Sequence, residues 1–111
     1  MIEINVLMGK KGPLSIEVKG HSGYAPEGED IVCAAVSTLM YALLLGLKEV
    51  IGICDITSEI NDEIPKFSIL WNEKNMSDDR TRAVIDTILK SLKYIAGAYP
   101  KYVHIVEVNK S

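Results

Sequence analysis

Two side chains in one short segment could together carry out nucleophilic catalysis, namely Cys33 and His21. His21 lies twelve residues before Cys33, inside the glycine-rich stretch GHSGYAPEGE at positions 20–29. A thiolate is a strong nucleophile, and a neighbouring imidazolium stabilises it and can protonate a leaving amine. The pair therefore predicts acyl transfer to Cys33, with His21 as the proton-transfer partner.

The position of Cys33 in its own element supports that chemistry. The sequence predicts a helix that Asp30 caps, which puts Cys33 in the first turn, where free N–H groups and the helix dipole favour a thiolate. There the Cys33 N–H and a loop N–H could form an oxyanion hole. Asp30 has a second interpretation, since it could orient His21 as a triad carboxylate does, although it would also raise the thiol pKa. Ser37 lies one turn after Cys33 on the same face.

Simpler interpretations exist for each of these features. A cysteine in an apolar helix is usually a small buried hydrophobic residue, a loop histidine is usually solvated, and a Gly/Pro segment is usually a connector. Their occurrence together at one loop-to-helix junction favours catalysis. Cys54, in an apolar stretch, is expected in the core, and His104 is expected to be structural or exposed. The sequence contains no CxxC, HExxH, P-loop or GxGxxG motif, so no metal or cofactor is expected.

The elements that must position these residues follow from hydrophobic periodicity. Period-two alternation predicts strands over residues 2–8 and 14–19, and further strands are predicted at 51–60, 66–71 and 102–108. Helices are predicted from Asp30 to about Leu47 and from Asp78 or Asp79 to Gly97. The order β-β-α-β-β-α-β predicts an α+β two-layer sandwich, with a mainly antiparallel sheet, two helices and an undetermined strand order.

Composition limits the classes of protein to consider. The 111 residues predict a single domain, and 48% hydrophobic with 24% charged residues is typical of a globular protein. A net charge of -3 without basic clusters argues against direct nucleic-acid binding. The alternating N-terminus does not resemble a signal peptide, and the apolar stretch from Ile31 to Leu47 looks too short to span a membrane. We therefore expect a cytoplasmic protein with reduced thiols.

The first helix is apolar on nearly every side, which predicts burial on every side. One sheet covers only part of such a helix. The remaining face is expected to pack against a second copy, and two-fold dimers are the commonest arrangement. The sequence therefore predicts a homodimer formed through the first helix.

The stretch from Gly20 to Ser37 resembles the ribosomal-processing cysteine protease family (Prp) of Firmicutes and related bacteria. The resemblance is carried by the Gly-His pair, by Gly28, by the run Asp-Ile-Val-Cys-Ala-Ala at positions 30–35 and by the following Ser37. Chain length and element order also agree. The resemblance implies the dyad His21 and Cys33, supported by Asp30 and Ser37. It also implies a substrate loop that includes Gly20, Ser22, Gly23, Tyr24 and Gly28.

The resemblance further implies a substrate. Members of this family remove a short hydrophobic N-terminal extension from the ribosomal large-subunit protein numbered twenty-seven, cutting after an aromatic residue. Two other functions remain open on the sequence alone. One is a non-catalytic dimeric module that binds a ribosomal protein or an assembly factor. The other is a thiol redox sensor in which Cys33 forms a disulfide with Cys54 or with a second chain.

Overall fold

The computed structural model describes residues 1–20, 27–62 and 65–110, and for residues 27–30 it describes the main chain alone. The strands are β1 (Ile2–Gly9), β2 (Gly12–Lys19), β3 (Thr57–Asn61), β4 (Lys66–Leu70) and β5 (Val103–Asn109). The helices are α1 (Glu27–Leu45), a π-helical segment (Gly46–Ile51), a 3-10 turn (Glu73–Ser77) and α2 (Asp79–Ala98). Both helices share one hydrophobic core with the sheet. The predicted α+β sandwich is confirmed.

The five strands lie in the order β3-β4-β2-β1-β5. Three of the four pairings are antiparallel, as predicted, and β1 pairs with β5 in parallel. A helical connection carries the chain back to the end of the sheet at which the preceding strand began, so the two strands that it joins run parallel. Thus α1 joins the parallel strands β2 and β3, and α2 joins the parallel strands β4 and β5.

The core lies on the face of the sheet that the period-two pattern predicts. Ile2, Ile4 and Val6 of β1 are fully buried, and Ile16 and Ile69 extend the same apolar surface over neighbouring strands. Five side chains of the first helical region pack on this surface and complete the core: Val32, Val36, Met40, Leu43 and Leu47. Because this stripe faces the sheet, the packing fixes the rotation of α1 about its axis.

The first helical region is longer at both ends than the sequence predicts. It begins at Glu27, before Asp30, and continues past Leu47 as a π-helical segment to Ile51. Gly52, with φ of 87°, ends it in the left-handed conformation that glycine adopts without strain. The strand predicted over residues 51–60 is therefore wrong in its first half, and strand β3 begins at Thr57.

The extended helix also changes the expectation about membranes. Ile31–Ile51 is long and apolar enough to cross a bilayer, judged on length and composition alone. Core helices of globular proteins meet the same criterion, and here one face of the segment is buried against the sheet. The opposite face carries exposed apolar side chains at Ile31 and Leu45. Burial on every side, as predicted for this helix, is not reached within one chain.

Helix α2 follows its predicted pattern closely. The side chain of Asp78 accepts a hydrogen bond from the Arg80 N–H at 2.8 Å and so caps the helix. Its apolar stripe is buried at Ile85, Ile88, Leu89 and Leu92.

A side-chain hydrogen bond links two strands at the edge of the core. The Trp71 indole N–H donates to the Pro13 carbonyl oxygen at 2.7 Å, which connects the end of β4 to the start of β2.

Candidate active site

Cys33 lies half-buried on α1, at the wall of a cleft of about 520 Å³. The cleft opens at the end of the sheet where β2 and β3 finish and β4 begins. Pockets of this volume are typical of small-ligand and peptide-side-chain sites. The candidate nucleophile therefore lies where a substrate can reach it.

The structure corrects two expectations about how the helix acts on Cys33. Since α1 begins at Glu27, Asp30 lies inside the helix and is not its N-cap, and Cys33 is the seventh residue. Only the first four N–H groups of a helix lack intrahelical acceptors, and the dipole effect falls off within the first turn. The Cys33 N–H is therefore used inside the helix and is not an oxyanion donor. Activation of the thiol must come mainly from a neighbouring charge.

One stripe of α1 faces the cleft. Cys33, Ser37 and Tyr41 recur every four residues, and all three line the cavity. Ser37 thus lies on the same face as Cys33, as its spacing predicts. Within the described residues, the Ser37 hydroxyl makes no hydrogen bond, whereas Thr38 beside it donates to the Ala34 carbonyl oxygen at 2.8 Å. The residues that the structure describes thus leave the Ser37 hydroxyl with an unused donor on the helix face that carries Cys33.

The opposite wall is built by strand ends and is mainly apolar. Val18 comes from β2, Ile60 from β3 and Phe67 from β4. Phe67 contacts Tyr41 edge to face, with ring centroids 4.8 Å apart and planes at 80°. Sequence reasoning missed this pair. The available signal was the position of Tyr41 eight residues after Cys33, on the same helical face.

Charged side chains form the rim of the cleft. Lys66 Nζ lies 3.6 Å from a Glu17 oxygen and 3.7 Å from a Glu59 oxygen, and Lys19 Nζ lies 3.2 Å from Glu17. Exposed ion pairs of this kind contribute about 0–1 kcal/mol each. Asp62 lines the cavity together with Lys19 and Lys66, so the charges around the thiol are mixed in sign.

The predicted substrate loop is described only at its two ends. Gly20 lines the cleft and its N–H donates to the Pro65 carbonyl oxygen at 3.2 Å. Gly28 and Asp30 are described by their main chain, which is helical. The predicted site residues that lie outside the described residues are His21, Ser22, Gly23 and Tyr24.

Cys54 is not the core residue that the sequence predicts. It is exposed in the turn after the π-helical segment, with its sulfur 3.9 Å from the Gly52 carbonyl oxygen. The Ile53 N–H donates to the Leu47 carbonyl oxygen at 2.9 Å, so this turn lies beside the C-terminal end of the α1 region. Fourteen residues at 1.5 Å each place Leu47 about 21 Å from Cys33. A Cys33–Cys54 disulfide would need Cα atoms within about 7 Å, so the redox-sensor pairing does not fit one chain.

His104 stands exposed on β5, in agreement with the sequence analysis, and on the other side of the sheet from the cleft. Over the described ranges of the chain, no group of three or more His, Cys, Asp or Glu side chains could hold a metal ion. The chemistry that the described side chains offer is that of the Cys33 thiol.

Comparisons with known proteins agree with this geometry. The family model "Cysteine protease Prp" matches residues 1–104. A ribosomal processing cysteine protease Prp of Staphylococcus aureus is 25% identical over 108 residues, which are 95% of this chain and 97% of that protein.

Two solved structures show the same fold. SMU.848 from Streptococcus mutans has a TM-score of 0.87 at 28% identity, covering 99% of this chain and 96% of that one. The S. aureus ribosomal processing protease Prp, solved in complex with a substrate peptide, has a TM-score of 0.78 at 22% identity. That match covers 97% of this chain and 100% of the other. With a family model spanning nearly its whole length, this chain belongs to the cysteine protease Prp family and is a cysteine protease.

Proposed function

We propose that this cysteine protease removes the short hydrophobic N-terminal extension of the ribosomal large-subunit protein numbered twenty-seven, cutting after an aromatic residue. The observation that carries the proposal is the Cys33 thiol in a cleft with a mainly apolar wall. The curated relatives from S. aureus are named ribosomal processing cysteine proteases, which supports a ribosomal protein as the substrate.

The proposed dyad is Cys33 and His21. Gly20, which precedes His21 directly in the chain, lines the same cleft as Cys33. Cys33 lies beyond the first helical turn, so a charged imidazole is the strongest available means of lowering its thiol pKa. We assign Asp30 to orienting that imidazole, because its position inside α1 removes the capping role.

The proposed reaction proceeds through a thioester. The Cys33 thiolate attacks the scissile carbonyl carbon, the C–N bond breaks, and the departing amine takes a proton from His21. Neutral His21 then accepts one proton from water, whose oxygen attacks the thioester carbonyl carbon. The C–S bond breaks, the new carboxylic acid leaves and gives its proton to solvent, and Cys33 returns as a thiolate beside protonated His21. No cofactor is required.

Ser37 is the described residue best placed to support these steps. Its hydroxyl lines the cleft one helical turn from Cys33 and makes no hydrogen bond within the described residues. A donor there could bond the carbonyl oxygen as it becomes negative, which is the role that the Cys33 N–H does not fill. Ser22, Gly23 and Tyr24 are assigned to the substrate loop, whereas Gly28 belongs to the first turn of α1 and not to that loop.

The setting of the enzyme is also proposed. We place it in the cytoplasm, where the ribosomal precursor is made, and as a homodimer through the exposed side of α1. Ile31 and Leu45 on that side are 64% and 51% exposed, which is unusual for large apolar residues of one helix.

The test incubates the purified protein with the full-length ribosomal protein precursor from the same cell and follows the mass of the precursor. We expect one cut after the N-terminal aromatic residue, no cut with Cys33→Ala, and a much slower cut with His21→Ala. Circular dichroism of both variants confirms that they are folded. An intact precursor after incubation with the parent enzyme would show that its substrate is a different protein.

A further inference from the structure

The edge-to-face pair of Tyr41 and Phe67 forms one apolar end of the cleft. Phe67 is only 8% exposed, so the sheet and core hold its ring in place. Tyr41 is 46% exposed, although it belongs to the stripe of α1 that faces the cavity. The Phe67 ring therefore fixes an exposed aromatic surface that one chain leaves uncovered.

Such a surface is well suited to binding an apolar side chain. Aromatic rings present a large contact area and lose little conformational entropy on binding, since only two torsions are fixed. In this case Phe67 has restricted the tyrosine ring before any ligand arrives. Val18 and Ile60 add apolar surface from the strand ends on the other side of the cavity.

The separation along α1 relates this surface to the thiol. Tyr41 follows Cys33 by eight residues, which is about 12 Å along a helix. A long helical side chain leans over the turn before its own Cα, so the ring lies nearer to Cys33 than that. An extended peptide advances about 3.3 Å per residue, and the surface is thus two or three residues from the scissile bond.

The apolar wall indicates which side of the scissile bond lies there. Val18 and Ile60 border the cavity together with the aromatic pair, and they match the hydrophobic residues that precede the cut. This step rests on the proposed function, which supplies the hydrophobic extension as substrate.

We propose that Tyr41 and Phe67 form a specificity subsite. It takes an apolar side chain of the substrate, two or three residues N-terminal to the residue at which Cys33 cuts. Tyr41 is a specificity-determining residue and takes no part in bond making. Lysine at either of these two substrate positions is disfavoured, because the apolar wall would remove water from its charge without pairing it.

The test measures kcat/KM on peptides that span the proposed cut and carry leucine, serine or lysine at each of the two positions. Tyr41→Ala is expected to lower kcat/KM for the leucine peptide about tenfold and to reduce the preference for leucine over lysine. Tyr41→Phe keeps the ring and is expected to retain both the kcat/KM for the leucine peptide and the preference for leucine over lysine. Tyr99→Ala is the matched control, since Tyr99 is 45% exposed and lies outside the cleft.

A second measurement separates this subsite from the proposed function. Binding of the same peptides to Cys33→Ala is followed with and without Tyr41→Ala. If the parent enzyme cuts none of the peptides, yet binding prefers leucine and depends on Tyr41, the subsite stands and the proposed substrate is wrong. If the parent cuts them and Tyr41→Ala keeps the full leucine preference, the subsite is overturned.

Discussion

Gly20 lies so close to Met1 that a β-carbon on Gly20 would overlap the main-chain carbonyl oxygen of Met1. The φ of Gly20 is 82°, in the left-handed region that favours glycine. Its N–H also bonds to the Pro65 carbonyl oxygen. The backbone angle and the lack of space therefore require glycine at this position, and the hydrogen bond holds the end of β2 at the wall of the cleft, directly before His21 in the chain.

Gly20→Ala is expected to lower the free energy of unfolding by more than about 1 kcal/mol, because neither the backbone angle nor the space suits a side chain. It is also expected to lower kcat/KM at least tenfold, since a small displacement of a catalytic group is costly. Urea denaturation and peptide cleavage, both at a temperature where the variant is folded, measure the two effects.

Gly97→Ala is the matched control. Gly97 lies in α2, and a β-carbon there would have no neighbour within 4 Å among the described residues. Alanine in a helix is expected to raise the free energy of unfolding by about 0.5–1 kcal/mol and to leave cleavage unchanged. A Gly20→Ala variant with the stability and activity of the parent would refute the proposed constraint.

Cys54→Ser is expected to leave peptide cleavage unchanged, because Cys54 is exposed beside the far end of the α1 region and contributes nothing to the cleft. Mild peroxide is expected to inactivate the parent and Cys54→Ser equally, through oxidation of Cys33. Mass spectrometry under non-reducing conditions reports the products. Protection by Cys54, or an intramolecular Cys33–Cys54 bond, would support the redox-sensor function instead.

The sequence predicted those parts of the fold in which one local pattern decides the outcome. Strand β1 alternates at Ile2, Ile4 and Val6, and only one pleated surface can bury all three. Helical spacing likewise placed Ser37 beside Cys33 and buried the apolar stripe of α2. In each case the side-chain period determines the face, and the face determines the packing.

The ends of the α1 region were mispredicted because two local signals competed. Val50, Ile51 and Ile53 are β-branched and apolar, which is typical of a strand. Gly52 between them is the residue that ends the helix, and its left-handed conformation separates the π-helical segment from β3. Asp30 looked like a cap because aspartate favours that position, yet three residues before it are already helical.

The site depends on contacts that no local pattern contains. Tyr41 and Phe67 are 26 residues apart in the chain, and they meet only because β4 pairs with β2 at the end of the sheet beneath α1. The parallel position of β5 next to β1 is equally non-local. The strand order therefore could be read only from the structure. The contact between Tyr41 and Phe67 depends on that order, so the proposed aromatic subsite could not be predicted from the sequence.

Thr81→Val is expected to raise the free energy of unfolding by about 1 kcal/mol. Thr81 is 1% exposed, and its hydroxyl has no hydrogen-bond partner within the described chain. An unpaired buried hydroxyl costs about 1–3 kcal/mol, and valine fills nearly the same space without it. Urea denaturation measures the change.

Two variants accompany the Thr81 measurement. Thr87→Val removes an exposed hydroxyl that donates to the Ala83 carbonyl oxygen at 2.7 Å, and a change within about 0.5 kcal/mol is expected. Thr81→Ser keeps the hydroxyl and loses the buried methyl group, so it should destabilise the protein by about 1 kcal/mol. A destabilised Thr81→Val would mean that the hydroxyl does find a partner.

Asp78 makes the stability of the protein depend on pH. The Arg80 side chain donates to both carboxylate oxygens, at 3.3 and 2.9 Å, and these hydrogen bonds lower the pKa of Asp78 below its usual value. A carboxylate with a lowered pKa in the folded state stabilises the fold at pH values above its unfolded pKa of about 3.9. That contribution disappears as the pH falls through the folded-state pKa.

Asp78→Asn separates the charge from the cap. Asparagine still accepts the Arg80 N–H, so the helix keeps its N-cap, but the pH-dependent contribution is lost. The parent is expected to be more stable than Asp78→Asn at pH 7, and the free energies of unfolding of the two should converge as the pH falls through the lowered folded-state pKa of Asp78. Asp79→Asn removes the same charge from the same turn but leaves the Asp78–Arg80 contact intact, so its free energy of unfolding at pH 7 should differ less from that of the parent. If the parent stays more stable than Asp78→Asn at low pH, the assigned role of the ion pair is contradicted.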